Sequence, residues 1–267
     1  MRIGVIGTGN IGGMIATAFA SSPDIEVVIY NRTREKAEQV LRKAPRVHIA
    51  ETAAELMQAV DVVFLCTKAK DGQPLVEQLG NLLTEDQVLV TTISKVPAST
   101  WESMTAARVA KVIPSIVQTT LSGIILVHYG SRFDRNLKNA FEQLLQRIAT
   151  PYEVAEDQIR VASDLTSCGP ALIAFLLQEW ARMAAATGKI SLCDAEHLLT
   201  QTTVGLADLL QSGMTLGSVI RKVAVPGGVT EIGVHSLSQT AADMFKALHE
   251  ATEDYAQSSP AASLREK

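Results

Sequence analysis

The chain has 267 residues, of which 47% are hydrophobic and 19% are charged, and its formal net charge is −4. This composition is typical of a folded globular protein with one large domain or two smaller ones. The small acidic excess leaves no surplus of basic side chains to neutralise phosphates, so it disfavours nucleic acid as a partner and favours a small molecule or another protein.

The three cysteines, Cys66, Cys168 and Cys193, have neither CxxC nor metal-ligand spacing. An odd and sparse set of this kind favours reduced thiols over disulfides and predicts no metal site. The longest apolar run, GPALIAFLL, is about half of the ~18 residues that a membrane span needs. The N-terminal MRIGVIG enters a strand pattern directly, without the arrangement of a signal peptide. We therefore predict a cytoplasmic protein without a membrane partner.

The first 155 residues alternate between short β-branched runs and stretches of helical composition. The predicted strands and further apolar runs are Ile3–Ile6, Val27–Tyr30, Val62–Cys66, Val88–Ile93, Val109–Ile113 and Ile124–Val127. The predicted helices between them include Ile11–Ser21, Arg34–Arg42 and Ala53–Val60. This alternation predicts βαβ units and a mainly parallel sheet whose strands are buried on both faces.

A glycine-rich loop follows the first predicted strand and opens the first predicted helix. It reads Gly7-Thr8-Gly9-Asn10-Ile11-Gly12. Gly7 suits a tight turn, Gly9 a close approach of pyrophosphate, and Gly12 close packing of helix on strand. A GxGxxG pattern alone also occurs by chance in loops, but here a strand precedes it and a helix follows it. We predict a Rossmann domain over 1–155, with the loop residues binding a dinucleotide.

The second predicted strand ends on Asn31, Arg32 and Thr33, where many dinucleotide sites carry a carboxylate for the ribose. A guanidinium, an amide and a hydroxyl instead offer donors to a phosphate. The same residues also read as a helix start, with Asn31 or Thr33 as N-cap, and the two interpretations are compatible. We predict NADP (NADPH) as the cofactor, with NAD possible.

The second half of the chain has no strong strand signal. The predicted helices run from Pro170 to Gly188, from Leu198 to Leu210 with an end at Gly213, and from Leu237 to Tyr255 with apolar residues at 3–4 spacing. The first half of the first helix is apolar on every face, which requires burial in a core or an interface. We predict an all-α dimerisation and substrate domain over 156–256, forming a homodimer, and a disordered tail over 257–267.

Five segments together resemble one family. IGVIGTGNIGG, YNRT, DVVFLCTK, DLTSCGPAL and VAVPGGVT occur in the order and approximate spacing of the pyrroline-5-carboxylate reductases, and within them of the divergent branch that includes the late-competence ComER proteins. The resemblance extends over about 1–256. It implies a Rossmann domain followed by a helical domain that forms an intertwined dimer, and an imine or imino acid substrate reduced by NAD(P)H, as in the conversion of 1-pyrroline-5-carboxylate to L-proline.

The resemblance also implies roles for individual residues. Thr230 matches the threonine whose hydroxyl meets the substrate nitrogen, and Gly227 and Gly228 match the turn whose amides bind the substrate carboxylate. Cys66, Thr67 and Lys68 match a segment that lines the cofactor, and Lys68 joins Thr230 as a candidate catalytic residue. Without the resemblance, Pro226 and the two glycines read as a turn with Thr230 as N-cap, and Lys68 as an exposed loop lysine.

Several residues depart from the family pattern around the expected substrate. Val225 replaces a serine before the glycine pair at the substrate site. Ser115 stands in place of an asparagine, Gly213 in place of a glutamate and Ala69 in place of a proline. A site that hydrogen-bonds its substrate discriminates strongly against other molecules, so such changes alter its selectivity. The alternative to a reductase is therefore a nucleotide-binding regulatory paralogue with little catalysis. A β-hydroxyacid dehydrogenase is disfavoured because Ile173 occupies the place of its lysine, and a deazaflavin-dependent NADP reductase because it lacks the helical half.

Overall fold

A computed structural model of the protein describes residues 1–258. The predicted disordered tail, 257–267, lies outside the described residues except for its first two positions, which end the last helix. The chain divides into two compact units, Met1–Gly169 together with the last helical turn from Tyr255, and Pro170–Asp254. Each unit is described by itself below.

The first unit is built on one eight-stranded sheet. Its strands are β1 (Arg2–Ile6), β2 (Glu26–Tyr30), β3 (His48–Ile49), β4 (Val62–Leu65), β5 (Val88–Thr91), β6 (Arg108–Ile113), β7 (Ile124–Tyr129) and β8 (Thr150–Glu153). Their order is β3-β2-β1-β4-β5-β6-β7-β8. Every pair is parallel except β6 with β7. The mainly parallel sheet predicted from the sequence is confirmed, although β4 and β5 end before the predicted Cys66 and Ile93.

Seven helices accompany this sheet. They are α1 (Asn10–Ala20), α2 (Arg34–Lys43), α3 (Ala53–Ala59), α4 (Ala69–Leu79), α5 (Ala98–Glu102), α6 (Arg135–Leu145) and α7 (Ile159–Leu165). The sequence predicted the first three. It missed α4, whose pattern is interrupted by Gly72 and by Pro74 inside the helix.

Alternate residues of the strands pack into two separate apolar clusters, one on each face of the sheet. Val62 and Phe64 of β4 belong to one cluster, and Val63 and Leu65 belong to the other. Since successive side chains of a strand point to opposite faces, a sheet covered on both faces needs apolar residues at every position. This arrangement accounts for the continuous apolar runs in the sequence.

The second unit is entirely helical in its described residues. It contains α8 (Gly169–Ala186), α9 (Leu192–Gln211), α10 (Leu216–Val223), α11 (Val229–Ser238) and α12 (Ala241–Ser258). The first residue of α8, Gly169, and the last turn of α12, from Tyr255, are assigned to the first unit. The all-α prediction is confirmed, with two corrections. The helix predicted from Leu198 begins at Leu192, because the Ser191 side chain caps it by accepting from the Asp194 amide. The helix predicted from Leu237 begins at Ala241, because Gln239 and Thr240 separate α11 from α12.

Large apolar side chains of the helical unit are exposed in the single chain. Phe175, Trp180 and Met183 on α8 are 59%, 63% and 63% exposed, and Ile232 on α11 is 69% exposed. The stretch Glu156–Ala186, of 31 residues, is long and apolar enough by composition to cross a membrane. It is interrupted by a turn at 166–168, between α7 and α8. The predicted lack of a membrane partner stays a prediction.

Candidate functional site

The carboxyl ends of three neighbouring strands meet at one edge of the sheet. β1 lies between β2 and β4, so the strand order reverses there. The Gly7 amide donates to the Tyr30 carbonyl oxygen at 2.8 Å, and the Cys66 amide donates to the Ile6 carbonyl oxygen at 2.8 Å. The loops after these strands are thereby held side by side. Ligands of open α/β sheets bind in the crevice at such a reversal.

The three glycines of the loop are required for different reasons. Gly7 has φ +92°, and a β-carbon at Gly12 would lie 1.8 Å from the Gly7 carbonyl oxygen. At Gly9 no atom lies within 4 Å of the β-carbon position. Gly7 and Gly12 are therefore explained by the fold, whereas packing does not explain Gly9. The missing side chain at Gly9 leaves open space beside the start of α1, where backbone N–H groups attract anions.

Asn31 joins the two loops that flank the crevice. Its Oδ1 accepts from the Thr8 amide at 2.9 Å, and its Nδ2 donates to the Thr33 carbonyl oxygen at 2.9 Å. Thr33 is the N-cap of α2, but its side chain makes no capping hydrogen bond. The Asn31 side chain thus connects the loop after β1 to the segment that precedes α2.

An open cleft of about 430 Å³ lies between these loops. It is lined by Ile6, Gly7, Gly9, Tyr30, Asn31, Arg32, Thr33, Lys36, Cys66, Thr67, Lys68, Lys70, Asp71 and Leu75. Four of these side chains are basic and one is acidic, so the cleft favours an anionic ligand. Arg32 donates to the Asp71 carboxylate at 3.2 Å.

Two buried hydroxyls and one thiol lie beside the glycine loop. Thr8 Oγ1 and Thr67 Oγ1 have no hydrogen-bond partner among the described residues. Buried polar atoms usually have a partner, so each of these oxygens is suited to a bound polar ligand. Burial raises the pKa of the Cys66 thiol to about 12, although a hydrogen bond with Thr92 opposes the shift. Cys66 is therefore a neutral thiol and a poor nucleophile near neutral pH.

The predicted substrate turn lies in the helical unit and precedes α11. The N-cap of α11 is Gly228, so the interpretation of Thr230 as N-cap is wrong, and Thr230 is the second residue of the helix. The Gly227 amide donates to the Glu231 carboxylate at 2.8 Å, and the Gly228 amide donates to the Val225 carbonyl oxygen at 2.9 Å. Both amides that the resemblance assigns to a substrate carboxylate thus have partners within the turn.

Two buried polar residues, Ser115 and Lys111, have structural roles in the first unit. Buried Ser115 donates to the Thr166 carbonyl oxygen at 3.1 Å, and its amide donates to the Gln118 side chain. Lys111 is 2% exposed and donates to the Glu156 carboxylate and to the Ser94 carbonyl oxygen, each at 2.8 Å. Burial alone would raise the pKa of Glu156, but hydrogen bonds from Lys111 and the Ala98 amide outweigh burial and lower the pKa from its usual value.

Sequence reasoning missed several residues of these sites. Lys70 and Asp71 belong to the unpredicted helix α4, and Lys36 was read as part of an ordinary helix. Their signal was the position in the first turns of the helices that follow β2 and β4, at the edge of the sheet where ligands bind. Glu231 was read only as an acidic residue near a helix start. Among the described residues, no three His, Cys, Asp or Glu side chains cluster in a way that could hold a metal ion.

Two family models match the chain. Residues 156–258 match pyrroline-5-carboxylate reductase dimerisation, and residues 2–95 match NADP oxidoreductase, coenzyme F420-dependent. The chain is 34% identical to ComE operon protein 4 of Bacillus subtilis (strain 168), over 92% of this chain and 91% of that protein. It is 26% identical to pyrroline-5-carboxylate reductase 3 of the same organism, over 94% of each.

A solved structure agrees with these matches. The chain superposes on a pyrroline-5-carboxylate reductase from Coxiella burnetii with a TM-score of 0.85 and 25% identity, covering 96% of this chain and 97% of that one. The likeness therefore includes both the α/β unit with its nucleotide crevice and the helical unit. With its glycine loop, its strand order and its helical second half, the chain belongs to the pyrroline-5-carboxylate reductase family and has the fold of its NAD(P)-dependent oxidoreductases.

Proposed function

We propose that the protein is a cytoplasmic NADPH-dependent reductase of a cyclic imine, of the pyrroline-5-carboxylate type, with an imine or imino acid as substrate. The observation that carries the proposal is the basic cleft at the strand-order reversal, beside the glycine loop. A bound nicotinamide cofactor would supply the hydride that reduces the C=N carbon. The chain then has to position cofactor and substrate and exclude water, which is how binding contributes to such reactions.

The residues of the first unit suit a dinucleotide. Gly7, Thr8, Gly9, Asn10, Ile11 and Gly12 would surround the pyrophosphate, with Arg32 and Thr33 near the adenosine ribose and Cys66, Thr67 and Lys68 beside the rest of the cofactor. The unpartnered hydroxyls of Thr8 and Thr67 support this assignment, because a ligand with many polar atoms can satisfy them. The positive charge of the cleft favours NADPH over NADH, and so does Asn31, an amide at the position where NADH sites carry a carboxylate.

In the helical unit, Thr230 would donate to the substrate nitrogen. In the first unit, Lys68 is the other candidate catalytic residue. Val225, Gly227 and Gly228 would form the substrate turn. The exposed large apolar side chains of α8 and α11, such as Trp180 and Ile232, support a homodimer through the C-terminal helices, because another surface would bury them.

A second candidate function is supported by a specific observation. The Gly227 amide is occupied by Glu231, and Val225 offers no side-chain donor to a substrate. Unless a substrate carboxylate displaces Glu231, it loses one of its expected partners. This favours a nucleotide-binding regulatory paralogue with little or no reduction of pyrroline-5-carboxylate.

The experiment is a pair of measurements on the full chain. NADPH and NADH binding are measured by fluorescence titration, and NADPH oxidation is followed with 1-pyrroline-5-carboxylate. We expect NADPH to bind at least about tenfold more tightly than NADH, since a guanidinium–phosphate contact is charge-assisted, and we expect turnover. Tight NADPH binding without turnover would favour the regulatory alternative, and no binding of either dinucleotide would refute both. Thr230→Val is the matched variant, because it keeps the shape and removes only the hydroxyl.

A further inference from the structure

Arg32 is the proposed ligand of the adenosine 2′-phosphate, yet it already has an anionic partner. Its guanidinium donates to the Asp71 carboxylate at 3.2 Å, and both residues line the same cleft. Arg32 follows β2 and Asp71 lies in the first turn of α4, 39 residues further along the chain. The ion pair therefore joins the two walls of the nucleotide cleft.

The position of Asp71 is set by tight packing behind it. The neighbouring Gly72 is buried, and a β-carbon there would lie 2.6 Å from Thr67 Oγ1 and 2.9 Å from Ile93 Cδ1. The first turn of α4 is therefore held closely against the ends of β4 and β5. A carboxylate in the first turn of a helix is also favoured by the helix dipole. Asp71 thus lies on a closely packed helix turn, and Arg32, whose side chain is 84% exposed, is the more exposed partner.

We propose that Asp71 is a specificity-determining residue, which occupies Arg32 in the free protein as a stand-in for the 2′-phosphate of NADPH. This inference rests on the proposed function, because it takes the cleft to be a dinucleotide site. A 2′-phosphate must displace the carboxylate before Arg32 can bind it, whereas NADH has no group that competes for Arg32. Asp71 consequently reduces the preference for NADPH over NADH.

The charges around Arg32 allow this exchange. Lys36, Lys68 and Lys70 line the same cleft, and Asp71 is its one acidic lining residue in the described chain. An exposed ion pair contributes at most about fivefold to an equilibrium constant. A phosphate of nearly two negative charges, held by planar charge-assisted hydrogen bonds, is the stronger partner for a guanidinium. The carboxylate therefore tunes the affinity without blocking the site.

The test compares Asp71→Asn with the wild-type protein in titrations with NADPH and with NADH. We expect D71N to bind NADPH about three- to fivefold more tightly and NADH within about twofold of wild type. Glu51→Gln is the matched control, because it removes one carboxylate charge from a neighbouring exposed pair with Arg34 that does not line the cleft. E51Q should leave both affinities within about twofold of wild type.

The Arg32→Gln background shows whether Asp71 acts through Arg32. There D71N should change the NADPH affinity less than about twofold, since no guanidinium is left to release. An equal gain in that background, a parallel gain for NADH, or weaker NADH binding in D71N would overturn the inference, the last because Asp71 would then be a ribose acceptor. In each of these cases the wild-type protein still binds a dinucleotide. The absence of a dinucleotide site is a distinct outcome, because then neither dinucleotide binds to the wild-type protein or to any of these variants.

Discussion

Residues 1–169 and residues 170–254 bury apolar surface in different ways. The first unit covers both faces of its sheet within one chain, with side chains such as Phe19, Phe64 and Trp101 fully buried. Within the described chain, Ala181 and Ala195 are the hydrophobic residues of the helical unit that are buried. The first unit is therefore complete in a single chain, whereas the helical unit lacks a core until another surface covers it.

The two candidate sites also differ, in whether their polar groups already have hydrogen-bond partners within the chain. In the crevice of the first unit, Thr8 Oγ1 and Thr67 Oγ1 have no hydrogen-bond partner among the described residues, and the space beside Gly9 is open. The substrate turn satisfies its own amides with Glu231 and Val225. Chemistry that depends on the first unit is therefore accessible in the chain as it folds. Chemistry that depends on the turn requires a change in its contacts.

The largest expected effect tests whether the crevice of the first unit is as rigid as its packing indicates. Gly12→Ala places a β-carbon 1.8 Å from a backbone oxygen that cannot move aside, so we expect a loss of about 3 kcal/mol or more in the free energy of unfolding. Gly9→Ala meets no atom within 4 Å and should change stability by about 1 kcal/mol at most. Urea denaturation measures both.

The same pair of variants separates folding from binding. G9A should remain folded and lose about tenfold or more in dinucleotide affinity, because the methyl group occupies the place of the pyrophosphate. Unchanged dinucleotide binding by G9A would mean that the ligand does not approach this glycine.

The next effect tests whether the helical unit is completed by a second copy. Trp180→Asp puts a charge on the exposed apolar face of α8 and should raise the dimer dissociation constant about 100-fold or more. Light scattering across a dilution series measures it. Tyr152→Asp is the control, because Tyr152 is exposed to a similar degree, 59%, but belongs to the first unit. A W180D protein that stays dimeric would place the interface elsewhere.

A smaller effect concerns the buried lysine of the first unit. Glu156→Gln leaves the Lys111 charge with a weaker partner, and because Glu156 is 37% exposed we expect a cost of about 2 kcal/mol near neutral pH. Although burial opposes the shift, the pKa of Glu156 in the folded state is lowered from its usual value by the hydrogen bonds from Lys111 and the Ala98 amide. Its stabilising contribution is therefore complete above about pH 5.5 and is lost as the pH falls through that lowered pKa.

The measurement is denaturation of both proteins between pH 3 and pH 7. The difference in free energy of unfolding between wild type and E156Q should shrink toward low pH. A difference that is independent of pH would show that the carboxylate charge of Glu156 is not what stabilises Lys111.

The smallest expected effect concerns the substrate turn. Glu231→Ala frees the Gly227 amide, so L-proline should bind to the NADP-loaded protein about fivefold more tightly than to wild type. Calorimetric titration measures this affinity. Glu250→Ala is the control, because Glu250 pairs only weakly with Lys246, at 3.8 Å, on another helix. Equal affinities of E231A and wild type would mean that this turn does not recognise a carboxylate.

The sequence predicted the parts of the fold whose signals are local. Strands buried on both faces read as apolar runs, and the glycine loop stood between a strand and a helix. Helix α4 was missed because Gly72 is required by close packing against Thr67, five residues before it, and against Ile93, which follows β5. The break between α11 and α12 was missed because apolar spacing continues across it.

The candidate sites were predictable to the extent that they depend on backbone geometry. The roles of Gly7 and Gly12 in the turn follow from position alone. The ion pair of Arg32 with Asp71 joins residues 39 apart, and its existence depends on where α4 starts. The contact of Glu231 with the Gly227 amide spans four residues, but carboxylates near helix starts have several possible partners. Contacts of this kind cannot be predicted from the sequence and are seen only in the structure.

The hydrogen bonds of Asn31 have a consequence for changing the coenzyme of this protein. Its amide accepts from Thr8 and donates to Thr33, so it fastens the glycine loop to the segment that would meet the adenosine ribose. A carboxylate at this position would keep the first bond and lose the second, because it has no N–H to donate. Engineering NADH preference by Asn31→Asp would therefore loosen the loop that follows β2 while it changes the ribose contact. A substitution at Asn31 therefore changes both the choice of coenzyme and the rigidity of the loop. A successful change of coenzyme needs a second substitution that restores a hydrogen bond to the Thr33 carbonyl oxygen.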